Sequence, residues 1–280
     1  MAQSAYNDVD HPRLKGFFVY EEQAPPRQAG ELRWTVFGIS YRILPSFWLI
    51  SALLAYVFIG PNVGGIAVDV ACIFVAIVFT TLVQGIVYRS YGLYSTVVIQ
   101  EFGGGVIPEA EPPTALQRII VALASPFSCF LLYAVVYYSN QEFKWAVASP
   151  PYSQFAYFIL CVVGLFWGII GLLPIYPYPG GRVMLEVFGY FSPVKGLIAT
   201  LIMSIIVGVA YVAYVGAVVF AKVMPEIPIY DKITLPASIF VGVFFAIATI
   251  RNVQLLNIVR AQRRQYRANE YVDDAPWDNR

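Results

Sequence analysis

The chain has 280 residues, of which 59% are hydrophobic and only 12% charged, a balance that ordinary soluble domains do not carry. It reads as an integral membrane protein whose first partner is the lipid bilayer. The formal net charge of +1 leaves no broad electropositive face, which excludes nucleic acid as a partner.

Residues 1–42 are polar, proline-bearing and of mixed charge, without the charged-then-apolar pattern of a signal peptide. They hold the single histidine, His11, and a short apolar segment, FFVY, from Phe17 to Tyr20. The first apolar span is expected from Ile43 to Ile59, with Arg42 at the headgroups and Trp48 further in. Pro61, Asn62, Gly64 and Gly65 then make a turn into a second span, Ile66 to Tyr88. Asp69, near its start, reads as a solvated interfacial carboxylate.

After Gly92 the pattern changes. STVVIQEF alternates polar and β-branched residues and leads into Gly103, Gly104 and Gly105, which is strand and tight-turn chemistry. Four more spans follow: Leu116 to Tyr138, Phe155 to Leu173, the uncharged run between Lys195 and Lys222, and Leu235 to Ile250. About 20 residues rising 1.5 Å each cross a bilayer core, so each run suffices if its flanks contribute.

The fold expected is an all-α membrane protein of about six transmembrane helices with a small membrane-associated β element after the second. Residues 1–42 form a cytoplasmic tail, 43–250 the transmembrane domain and 251–280 a basic cytoplasmic tail. Lys and Arg concentrate in both tails, so both termini are expected on the cytoplasmic side, in the style of a bacterial cytoplasmic membrane protein. Cys72, Cys129 and Cys161 all lie in apolar runs and read as buried hydrophobes rather than a disulfide framework.

Two stretches organise the rest, FTTLVQGIVYRSYG over Phe79 to Gly92 and GLLPIYPYPGGRV over Gly171 to Val183. With VVIQEFGGG and the Ala124, Ser125, Pro126, Cys129 set between them, their order and spacing resemble the site-2 protease family of intramembrane zinc metalloproteases. The family's second helix carries H-E-x-x-H, and alignment on YRSYG places those ligand and base positions on Thr80, Thr81 and Gln84. Its asparagine position in the third helix falls on Cys129. Its N-x-x-P-x-x-P-x-D-G-G-R motif matches here at Pro174, Pro177, Gly180, Gly181 and Arg182, with Gly171 at the asparagine and Pro179 at the metal-binding aspartate.

Zinc at such a site needs two imidazoles a helical turn apart and a carboxylate, with a second carboxylate as proton acceptor. Thr80, Thr81, Gln84 and Pro179 provide none of these, and the one histidine lies in the polar tail. The resemblance therefore implies a degenerate member without zinc or any other cofactor and without catalytic residues. Its remaining capacity is to hold a transmembrane protein client, or to serve as a subunit of a membrane complex. The strand and turn at Val97, Val98, Ile99, Gln100, Gly103 and Gly104 are expected to offer a peptide an edge to pair with. A peptidase with an alternative centre and a small-solute transporter remain as rival readings.

Overall fold

The strands expected after the second span are joined by two that precede the first. The computed structural model describes residues 28–100, 103–148, 151–190, 192–223 and 231–273. Phe17 to Tyr20 and His11 lie outside them. Strands β1 (Leu32–Val36) and β2 (Ile39–Ile43) form an antiparallel hairpin; β3 (Ser95–Gln100) pairs parallel with β2, and β4 (Gly103–Pro108) antiparallel with β3. The sheet order is β1-β2-β3-β4. Residues 32–42, expected to belong to the tail, thus form half of the sheet. The pattern explains why: Ile39, Tyr41 and Ile43 point one way and are buried, as the period of two requires.

Between β2 and β3 runs a helical hairpin, α1 (Pro45–Ile59) and α2 (Val63–Ser90). Proline opens α1, where its missing N–H costs nothing. Gly60, at φ 80°, ends it. The Asn62 side chain then accepts from Gly65 N and starts α2. Because α2 returns to the level where α1 began, β3 can lie parallel to β2, and the ladder continues from Ile99 O to Leu44 N at 2.9 Å. Ile39, Tyr41, Ile43, Val97, Ile99 and Val106 from the sheet pack with Ile77 and Tyr88 of α2 in one core.

The remaining helices are α3 (Ala115–Phe143), the short α4 (Trp145–Ala148), α5 (Tyr152–Leu172), α6 (Pro179–Gly189), α7 (Pro193–Val223) and α8 (Asp231–Asp273). A capping box between Thr114 and Gln117 starts α3. Among the described residues five helices, α2, α3, α5, α7 and α8, are long and apolar enough to cross a membrane. The remaining expected span, the first, is α1, apolar but only 15 residues long. No break falls at residue 250: α8 continues through Asp273, and Leu256 and Val259 pack on Leu197 and Leu201 of α7.

One ion cluster ties the sheet's outer hairpin. Arg33 and Arg42 stand directly opposite each other in the β1–β2 register, and Glu31 accepts from both, with Arg42 Nη2 at 3.1 Å and Arg33 Nε at 3.1 Å. These hydrogen bonds, Arg42's foremost, hold the Glu31 carboxyl at about 2, well below its ordinary 4.5. A depressed folded-state value means stability that is complete above the ordinary value and is lost as the pH falls from 4.5 towards 2. Glu31→Gln should lower the thermal midpoint in detergent at pH 7, with roughly 1–3 kcal/mol at stake. It should also flatten the acid limb below pH 4.5, where the parent chain keeps losing stability. An unchanged midpoint and acid limb would show that the cluster contributes nothing.

Candidate functional site

Thr80, Thr81 and Gln84 lie in the middle of α2. The Thr80 hydroxyl donates to Ile77 O at 3.1 Å, and the buried Thr81 hydroxyl to Ile77 O at 2.7 Å and Val78 O at 3.2 Å. These are the back-bonds of hydroxyls within an apolar helix. Gln84 Nε2 donates to Val121 O of α3 at 3.2 Å. All three side chains are therefore engaged by backbone carbonyls.

The sheet covers this part of α2 closely. A Cβ on Gly104 would stand 2.7 Å from Ile77 Cγ2 and 2.8 Å from Thr81 Cγ2, so only glycine lets β4 lie against the helix at this level. From Ser90 at the end of α2 back to Ile77 is roughly 20 Å of helix, about the length of a six-residue strand. The β3–β4 hairpin accordingly runs back alongside α2 to mid-helix, with Gln100 and Gly103 paired at its tip. Tyr41 of β2 reaches the same place, its hydroxyl 3.5 Å from Val78 O. Nothing in the sequence marked Tyr41, because its strand was read as tail.

The edge expected of Val97, Val98, Ile99 and Gln100 does not exist as such. Strand β3 is hydrogen-bonded on both sides, to β2 and to β4, and so is an interior strand. Among the described residues β4 and β1 are the outer strands, and it is Gly103, Gly104 and their neighbours in β4 that present one unpaired side. Local alternation marks a strand but not its neighbours, and β2 comes from a segment more than fifty residues earlier.

On the opposite side, Pro126, Gly171 and Pro179 come together: a Cβ on Gly171 would lie 3.4 Å from Pro126 Cβ and 4.0 Å from Pro179 Cγ. Buried Cys129 lies where α3 meets α5, and a Cβ on Gly164 would sit 3.0 Å from the Cys129 carbonyl oxygen. Pro179 opens α6, and the chain folds so sharply before it that Cβ atoms on Gly180 and Gly181 would overlap backbone atoms of Leu172, Leu173, Ile175 and Tyr176. The 174–178 turn, with its cis Tyr176–Pro177 bond, is held from several directions. Arg182 Nε donates to Pro177 O at 3.1 Å and Ser204 Oγ to Pro174 O at 3.2 Å. Tyr176 N donates to Ser204 Oγ at 2.9 Å, and buried Asn252 donates to Tyr176 O at 2.8 Å. Ser204 and Asn252 were missed; Ser204 had only its polarity within an apolar run to mark it, and Asn252 fell beyond the sixth span, among residues assigned to the tail.

Two further polar groups are placed differently from expectation or more definitely. Asp69 is 8% exposed, not a solvated interfacial carboxylate. Gly64 lets α2 start directly against Tyr152, and Cys72 one turn on meets Ala156 O, so Asp69 is turned into the α2–α5 packing. Glu186 of α6 accepts from Arg118 Nε and Nη2 of α3 at 2.7 and 2.9 Å. Arg118 also donates to Pro112 O, which ties the exit of β4 to α6 through α3.

The residues at the metal-ligand positions do not fit zinc. Two hydroxyls, a primary amide and a proline ring replace imidazoles and carboxylates, and among the described residues no three His, Cys, Asp or Glu side chains are grouped to hold a metal ion. No step through zinc can be derived from them.

No protein-family model matches the chain, and no curated protein does. Among solved structures it is similar to the site-2 protease from Methanocaldococcus jannaschii, with 18% identity, a TM-score of 0.54, and 78% of this chain and 95% of that one covered. At that identity the likeness establishes a site-2-protease-like membrane fold; what the chain does must come from its own residues.

Proposed function

We propose that this chain is a catalytically inactive membrane protein on the site-2 protease scaffold, which holds a transmembrane client or serves as a subunit of a membrane complex. One observation carries the reading. Thr80, Thr81 and Gln84, which motif spacing aligns with the family's ligands and base as it does Pro179, all donate to backbone carbonyls of α2 and α3. No group there can activate water or a hydroxyl, since neither an imidazole nor a carboxylate is paired with Thr81.

The scaffold's peptide-holding element persists beside the altered centre. The unpaired side of β4 offers backbone N–H and C=O groups to an extended chain, and Gly103 and Gly105, with nothing within 4 Å of where a Cβ would stand, leave space for it. With both tails on the cytoplasmic side, the client would meet this edge from the cytoplasmic half of the bilayer.

The full chain, purified without added metal and analysed by elemental mass spectrometry, should contain far less than one zinc per chain. It should also leave a transmembrane reporter uncleaved. Stoichiometric zinc, or cleavage lost in Thr81→Ala and Gln84→Ala, would overturn the inactive assignment.

A further inference from the structure

Arg251 does not mark the end of the sixth span. It lies within the apolar stretch Val241–Arg264 of α8, and the packing of α7 against α8 shows how deeply. Gly208 of α7 meets Thr249, Val215 meets Gly242, and Leu197 and Leu201 meet Leu256 and Val259. Asn252 reaches Tyr176, which Ser204 holds. Arg251 therefore stands level with about residues 204–208 of α7, a helix without charge between Lys195 and Lys222. Measured along α7, Lys195 is roughly 14–20 Å away, and measured along α8, Arg260 to Arg264 are the same distance off.

Arg251 is exposed; Ile247 and Ile250 of α8 and Ile206 and Val209 of α7 are exposed on one side of it, and Gln254 and Asn257 of α8 on the side towards Arg260. Among the described residues it has no ion pair and no hydrogen bond; Tyr178, stacked on Phe244, lies within its electrostatic reach. A guanidinium level with the uncharged middle of α7 gains from an anion, and the basic end of α8 is further away than snorkelling along one side chain extends. The Glu186 carboxylate of α6 is engaged by Arg118.

We infer that Arg251 is the recognition point for the carboxylate of a transmembrane partner, a helix lying on the α7–α8 face with an aspartate or glutamate about 14–20 Å from the end that meets Arg260 to Arg264. Charge complementarity selects this occupant: an anion at that depth arrives laterally, on a membrane segment, and Arg presents a fork suited to a carboxylate. The inference rests on the client-binding reading and states which clients it accepts.

The test uses the full chain in phosphatidylcholine liposomes, with synthetic leucine–alanine transmembrane peptides carrying one Glu or one Gln at the matching depth, and binding read by energy transfer. The Glu peptide should bind at least about tenfold more tightly than the Gln peptide to the parent chain. That preference should vanish in Arg251→Gln and persist in Arg251→Lys, whose charge is kept. In Arg251→Glu it should pass to a peptide bearing Lys. Equal binding of the Glu and Gln peptides to the parent chain overturns the pairing and leaves client binding standing. Binding of neither peptide overturns the pairing, and if crosslinking in native membranes also recovers no client, the broader reading falls with it. Retention of phosphatidylglycerol through detergent by the parent chain but not by Arg251→Gln, with no peptide preference, reassigns the guanidinium to a lipid phosphate and overturns the proposal.

Discussion

Gly181→Val is expected to prevent the chain from reaching its folded state. The 174–178 turn brings the backbone of Ile175 and Tyr176 against the start of α6 so closely that a Cβ at position 181 falls within the Ile175 carbonyl group and the Tyr176 nitrogen. Neither is the free end of a flexible side chain. Tyr176 is fixed on its N–H by Ser204 and on its carbonyl by Asn252, and the Pro177 carbonyl by Arg182. Relief requires the turn to move as a unit, which breaks those hydrogen bonds together. Overpacking of this kind costs at least about 3 kcal/mol, and a branched side chain more than alanine. The measurement is the reaction of buried Cys129 with a maleimide in mild detergent: slow in the parent chain, and fast in the variant if α3 and α5 no longer close over it. A Gly181→Val chain with parental Cys129 protection and thermal midpoint would show that the turn gives way freely.

Asn252→Leu should be the next most damaging change. Asn252 is 1% exposed, and its amide donates across to Tyr176 O at 2.8 Å, so α8 holds the turn from outside it in sequence by more than seventy residues. Leucine is near in volume and suits an apolar helix, which confines the effect to the lost hydrogen bond. The half-buried Tyr176 carbonyl then loses its Asn252 donor, a loss of roughly 1–2 kcal/mol. The expected readout is a thermal midpoint lowered by about 2–4 °C for each kcal/mol. Asn252→Asp separates hydrogen bonding from shape: at pH 7 the carboxyl either stays ionised and cannot donate or must take up a proton to do so, and both cost stability, least at acid pH. If both variants match the parent chain, α8 does not hold the turn.

These two predictions concern the segment whose motif is also the most legible. Pro174, Pro177, Gly180, Gly181 and Arg182 announce a sharp turn into a helix, and the chain makes one there, with Arg182 closing it onto Pro177 O. That no imidazole pair can form was equally plain, because it depends on which residue types are present and not on where they go. With one histidine in the chain and Thr80, Thr81, Gln84 and Pro179 at the motif positions, no packing can create an imidazole pair. The apolar runs likewise set the helices, and alternation set β3, since burial of one face or of a whole span leaves its period in the residues that form it.

What depended on partners distant in the chain was decided by the tertiary structure alone. Strand β3 carries no mark that β2 will pair on its other side, so its place in the interior of the sheet and the free side of β4 followed only from the return of α2 beside α1. Tyr41 gained its position beside Val78 in the same way. Asp69 lies near the start of its helix by sequence but is buried, between Gly64, which Tyr152 of α5 meets, and Cys72, which reaches Ala156 O. Arg251 looks like the boundary of a span when α8 is read alone, and becomes a cation level with the uncharged middle of α7 once Gly208 of α7 is set against Thr249. The physical reason is common to all four. Residue type and period report the environment a segment can tolerate, while depth, pairing and burial are relations between segments, fixed when the helices pack.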